Sequence, residues 1–419
     1  MFLIDPEDFI IGGNATDNIS GATLSALLVT NSVTITTAVG SDATTPGTPP
    51  ETNLFTTTPG NGDIFVNEAV SWTASSSPTT LSLNADRDVN VNAAVTAVNG
   101  NFEVCCGRDV NLNAAVTTTN GSMLLNAGRN INMNAAVTTT DGNITMCAAE
   151  NITIADQITL TRGSSIPAQS LGLPLGLVLN AGYGGTGPGT AGGTLIFAPL
   201  APDAVVTGPN APVTILYNPV SYATPTDYSG NFVLTGGATL TQRMLVFADG
   251  GNKTFDGTTA TTLSGLKDSP TGVTLVAGPG SMANFDTAAV GVNKKVTYSG
   301  YTLGGADANN FALAENCCGP VFANTTANIS AAPVVVVPPP LVVIPPPVAA
   351  SPETIVPPIL TPVVVLPFTP RPQVALTVIP EEMPIVSVVE DMPVLPVEEV
   401  LPVEEPYVAP VLVPKQDRG

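Results

Sequence analysis

The chain has 419 residues, of which 44% are hydrophobic, 11% charged and none histidine, and its formal net charge is −21. Its 12 basic residues are scattered, so it lacks the clustered Lys and Arg that neutralise nucleic-acid phosphates or anionic lipid headgroups. Without histidine, triad hydrolases and His-ligated zinc sites are excluded in their ordinary forms.

Residues 1–80 read as irregular coils of a β protein. Short strand patterns fall at 17–19, 24–32 and 33–37, a Thr/Pro-rich loop at 44–58, and a further coil at 63–72 (DIFVNEAVSW). Met1 to Ile4 runs into Asp5 and Glu7 without the basic n-region of a secretory signal peptide. The chain is expected to begin inside a solenoid with no N-terminal cap, as a fragment or a late gene start.

From residue 81 to 158 the sequence repeats: LSLNADRDVNVNAAV, FEVCCGRDVNLNAAV, MLLNAGRNINMNAAV and ITMCAAENITIADQI. Arg87, Arg108, Arg129 and Glu150 are each 21 residues apart, as are Val95, Val116, Val137 and Ile158. A fixed period of this size without helical periodicity marks a solenoid. Within each repeat, apolar residues alternate with polar ones, as in Leu81/Leu83 and then Val89/Val91, so each short strand has one buried face. Asn99-Gly100, Asn120-Gly121 and Asp141-Gly142 supply tight turns between repeats. Asn67-Glu68-Ala69-Val70 matches Asn92-Ala93-Ala94-Val95 25 residues on, a repeat lengthened by its loop. Three strands per repeat describe one coil of a right-handed parallel β-helix, with coils about 4.8 Å apart.

Beyond residue 158 the period weakens through a Gly-rich loop at 182–193. Strands are expected at 195–197, 213–217 and 232–234, with the last coil ending at 244–247. Residues 252–332 change character, with strands about ten residues apart (272–276, 295–298, 311–313) that suit a small β-sandwich. Residues 333–419 carry runs such as VVVVPPPLVVIPPP and PVLPVEEVLPVEEP, which predict a disordered, acidic, polyproline-II tail. The expected domains are therefore a β-helix over 1–251, a sandwich over 252–332 and a tail over 333–419. No run of about eighteen apolar residues free of Pro and charge suggests a membrane-spanning helix.

Candidate sites are few. The Arg87/Arg108/Arg129 column reads first as turn decoration neutralised by the adjacent Asp88, Asp109 and Asn130, and second as a charged ladder for an acidic glycan. Asn92, Asn113 and Asn134 share one position, as do Asn84, Cys105, Asn126 and Cys147; stacked amides there satisfy one another. Cys105 and Cys147 lie two coils apart, about 9.6 Å, too far for a mutual disulfide. Cys106 occupies a small buried position, and Cys317-Cys318 forms a vicinal disulfide, a cross-bridge or neither. Asp86 and Asp88 are not repeated together in later coils and make no glycosidase-like pair. The Asn-x-Ser/Thr triplets, such as those at Asn14 and Asn143, reflect composition. No catalytic, cofactor-binding or metal-ligating residue is assigned, and no enzyme is expected.

Two resemblances follow from these residues. The repeat NAGRNINMNAAVTTTDGNITM and the opening Phe2-Leu3-Ile4-Asp5-Pro6 resemble filamentous haemagglutinin-like exoproteins of Gram-negative two-partner secretion. The motif Lys253-Thr254-Phe255-Asp256-Gly257-Thr258-Thr259-Ala260, with 299–307 (SGYTLGGAD) and 328–331 (NISA), resembles the YDG module of bacterial surface proteins, with Phe255 where the family name has Tyr. The resemblance implies export through an outer-membrane β-barrel partner that acts on sequence missing here. It also implies a secreted or cell-surface location and adhesion to a host-cell, matrix or glycan receptor or to other bacteria, without nucleic acid or membrane insertion. A surface spacer with no binding site is the alternative, and a carbohydrate-active β-helix enzyme comes third.

Overall fold

The computed structural model describes residues 3–4, 8–37, 60–163, 171–189, 193–317 and 323–333. The expected loop at 44–58 and the expected tail from residue 334 onward lie outside them.

The repeats wind into a parallel β-helix with three sheets. One has ten strands and two have seven. Each complete coil gives one strand to each sheet, for example Met123–Ala127, Ile131–Met133 and Val137–Thr140. The pairing is parallel and in register at the sequence period. Val110 lies between Val89 and Ile131, and Ile131 pairs in turn with Ile152. All four side chains are fully buried. The second column, Leu81, Phe102, Met123, Ile144 and Leu177, stacks in the same way. The longer repeat also keeps register, with Ile64 on Val89 and Val70 on Val95.

Coil spacing explains the turn dipeptides. Asn99, Asn120 and Asp141 have φ near 50°, which Asn and Asp tolerate best among residues with a Cβ. The glycine that follows is required for a different reason. A Cβ on Gly121 would lie 1.9 Å from the Gly100 carbonyl oxygen, and one on Gly142 1.8 Å from that of Gly121.

Three expectations are corrected. Residues 24–32 are not a strand: Gly21–Leu28 is an α-helix, with Ser20 as N-cap accepting from the Thr23 N–H at 3.1 Å. Leu24 and Leu28, one turn apart, are fully buried, so the short apolar run has helical rather than alternating burial. In one of the three sheets the expectation of a bare first edge is corrected as well. The helix lies along Val70–Thr73, the first strand of its sheet, where the Ser71 N–H donates to Ser25 Oγ (2.9 Å) and the Ser75 N–H to the Val29 carbonyl (2.9 Å). A helix thus supplies polar partners where a further strand would otherwise pair. Third, Phe311–Leu313 does not belong to the sandwich; it pairs parallel to Leu240–Val246 as the tenth strand of the largest sheet.

The second domain packs a two-stranded sheet (Ala248–Gly250, Leu263–Leu266) against a four-stranded one. The latter has the order Lys253–Thr254, Ala323–Ser330, Gly291–Gly304, Thr274–Phe285. Ala248, Phe285, Val296, Tyr298 and Ile329 form its small core.

Replacing Ile131 by Ala should lower stability by about 3 kcal/mol, the usual cost of a buried cavity in a core that cannot collapse. Thr138→Ser, on the outward side of the next strand, should change it by less than about 0.5 kcal/mol. Urea unfolding of the full chain checks both, and equal midpoint shifts would contradict the assignment of inside and outside.

Candidate functional site

The outer faces of the β-helix are occupied by side chains bound to their counterparts one coil away. Asn92 donates its amide to Asn67 Oδ1 (2.8 Å), Asn113 to Asn92 (2.9 Å) and Asn134 to Asn113 (2.9 Å). A second amide ladder runs through Asn90, Asn111 and Asn132. The column Asn84, Cys105, Asn126, Cys147 makes no such ladder. The cysteines interrupt it, and Asn126 Oδ1 is buried without a partner.

The Arg column is neutralised, but not by the adjacent residue. Arg87 forms a bidentate pair with Asp63, Arg108 with Asp88 and Arg129 with Asp109, each carboxylate belonging to the preceding coil. The adjacent Asp88 and Asp109 are farther away, at 3.7 and 3.8 Å. Burial works to raise the Asp109 pKa, but the hydrogen bonds from Arg129 and the Asn130 N–H outweigh it and hold the carboxyl below its ordinary value. The same buried carboxylates also cap backbone N–H groups, as Asp88 does for Asp109 (3.0 Å). Asp88 is therefore held in the stack.

In the second domain the motif at 253–260 folds around one ammonium group. Lys253 Nζ donates to Asp256 Oδ1 (2.8 Å), the Thr258 carbonyl (2.7 Å) and hydroxyl (3.0 Å), and the Ala260 carbonyl (2.8 Å). It also lies 5.9 Å from the centre of the Phe285 ring. Asp256 further accepts from the Thr258 N–H at 2.9 Å, and Gly257 adopts φ 80° between them. Phe255 is 44% exposed and takes no part in this cage, so the change from Tyr leaves it intact.

A disulfide ties the β-helix to the segment between its tenth strand and the last strand of the second domain. Cys147, on the β-helix, is disulfide-bonded to Cys317, with Cα atoms 6.1 Å apart and 170 residues between them. Cys105 is disulfide-bonded as well. Cys106 is free, and burial pushes its thiol up to about 12, which suits the inert role its position predicts. The bridge holds the segment after Phe311–Leu313 to the outer side of the largest sheet. There Asn180 donates to the Glu315 carbonyl (3.1 Å), and Leu245, Phe247 and Ala314 form a separate apolar cluster.

A concavity among the described residues is lined by side chains that no sequence pattern singled out. A cavity of about 700 Å³ opens where the loop after Val213–Tyr217 meets two turns of the second domain. One wall is preset: Asp227 accepts from Gln242 Nε2 and from the Ser229 N–H and hydroxyl, all at 2.9 Å, and Tyr217 accepts from the Thr226 N–H at 2.9 Å. Its floor includes the edge-to-face pair Tyr222–Phe311, with centroids 5.7 Å apart. Opposite stand Asp268, Asp307 and Asn310, all exposed. The lining comes from segments far apart in sequence, which is why no local motif announced it. Among the described residues no group of three His, Cys, Asp or Glu side chains is placed to hold a metal ion.

Two outcomes test this geometry. Hydrogen bonding from Lys253 holds the Asp256 carboxyl at about 2. Stabilisation by this contact is thus complete above the ordinary carboxylate value of 3.8 and lost as pH falls towards about 2. A Lys253→Met chain should raise the midpoint of the Asp256 carboxyl titration, followed by NMR, towards the ordinary range, the Thr258 contacts still holding it partly down; an unchanged midpoint would contradict the cage. Reduction of the disulfides in the full chain should speed amide exchange at 311–317 while leaving 89–154 protected. Equal protection of 311–317 before and after reduction would show that the bridge does not hold that segment.

Residues 241–317 match the YDG domain family. The match begins inside Leu240–Val246, the ninth strand of the largest sheet, and ends at the bridged Cys317. No curated protein and no solved structure matches the chain.

Proposed function

We propose that the protein is a secreted or cell-surface fibrous protein that attaches its cell to host cells, matrix or other bacteria. Export would proceed through an outer-membrane β-barrel partner. The observation that carries the reading is a long in-register β-helix joined to a module that matches the YDG family. The composition fits: with 11% charged residues and amide ladders outside, the coils present flat, neutral-polar faces. Such faces favour contact spread over area above catalysis in a cleft of the coils.

A second reading, the surface spacer, is favoured by the Arg–Asp stack. Those charges bind one another and leave little for a partner on that face. Neither reading makes the protein an enzyme. Saturable, competable binding of the purified chain to cells or matrix proteins is the outcome expected for an adhesin. Binding that is absent, or grows without saturation, would leave the spacer in its place.

A further inference from the structure

We infer that the cavity between the last coils and the second domain is a binding site for a neutral carbohydrate of one or two sugar units. The proposal supplies a ligand class for the adhesion proposed above and rests on that reading for its biological role.

Size comes first. About 700 Å³ falls within the range of small-molecule sites and exceeds what a single ordered water or ion needs. The polar groups are complementary to hydroxyls. Among the described residues no hydrogen bond engages the carboxylates of Asp268 and Asp307 or the amide of Asn310. Asp307 and Asn310 instead make backbone contacts, the Asp307 N–H to the Gly272 carbonyl and the Asn310 N–H to the Asp307 carbonyl. Carboxylates only accept and an amide does both, so together they match groups that donate and accept on adjacent carbons.

The Tyr222 hydroxyl is a further free group. It is buried without a partner, its ring fixed against Phe311, and burial with the Asp268 charge keeps the phenol protonated. An unpaired buried hydroxyl is destabilising, and a ligand hydroxyl bonded to it would recover that cost. Tyr222 and Phe311 also provide an aromatic floor against which the apolar C–H face of a sugar ring can lie.

Charge narrows the class. No Lys or Arg lines the cavity, whereas Asp227, Asp268 and Asp307 do. A sialylated or uronate-bearing glycan would meet like charge there. Asp268 holds φ 47°, so its carboxylate is presented from a backbone conformation that ordinary loops rarely use.

The full chain should bind neutral disaccharides of glucose, galactose or mannose by calorimetry, and bind sialyl-lactose and oligouronates at least about tenfold more weakly, a difference of ~1.4 kcal/mol. Asp268→Asn and Asp307→Asn, at exposed positions that leave the fold intact, should each weaken binding about tenfold. Tyr222→Phe should weaken it by a smaller factor, and Val292→Ser, at an exposed position outside the cavity lining, should not. The proposal is overturned if no neutral sugar binds, if the anionic sugars or a lysine-rich peptide bind as well, or if the Asp variants bind like the parent. Cell attachment without sugar binding would remove this site and leave the adhesin reading; sugar binding without attachment would do the reverse.

Discussion

The structure depends on one repeated contact: the backbone and side chains of each coil lie directly on the same positions of the next. Main-chain pairing fixes the vertical spacing, and that spacing decides which side chains can follow. Inside, Val89, Val110, Ile131 and Ile152 fill a continuous apolar column. Outside, the same spacing brings the amides of the Asn67 and Asn90 columns to 2.8–2.9 Å of one another, so these side chains satisfy each other. At the turns it removes room for any side chain, and Gly100, Gly121 and Gly142 meet that limit.

Electrostatics obey the same geometry. An arginine that could pair with its chain neighbour instead reaches the carboxylate one coil back, where the bidentate fork fits and the aspartate is already held by a backbone N–H. The charges thus tie coils together and are not free for a partner. The cavity lies instead where the repeat ends. There the insertion after Val213–Tyr217 and the second domain's turns enclose an acidic, aromatic-floored cavity.

What was legible in the sequence was whatever the repeat dictates. The coil register, the interior columns, the positive-φ turns and the lengthened coil at Asn67 all follow from a period that any reader can count. Departures were less visible. Gly21–Leu28 is short and apolar, a length at which helix and strand patterns coincide, and only the Ser20 cap points to the helix. Phe311–Leu313 reads like any strand of its own domain, because nothing local says that its partner is Leu240–Val246. The Cys147–Cys317 bridge needs a distance between residues 170 apart that sequence does not contain. Outward Leu124 and Val178, apolar where Ser82 and Glu103 stand in earlier coils, were the available sign that this face is covered.

The stacking register can be tested by engineered cross-linking. Asn111 and Asn132 are direct partners on adjacent coils, while Asn90 and Asn132 are separated by a coil, about 9.6 Å. Under mild oxidation, a chain carrying Asn111→Cys with Asn132→Cys should form that disulfide, identified by peptide mapping, and one carrying Asn90→Cys with Asn132→Cys should not. Efficient bridging of the second pair, or failure of the first, would contradict a 21-residue coil and everything built on it.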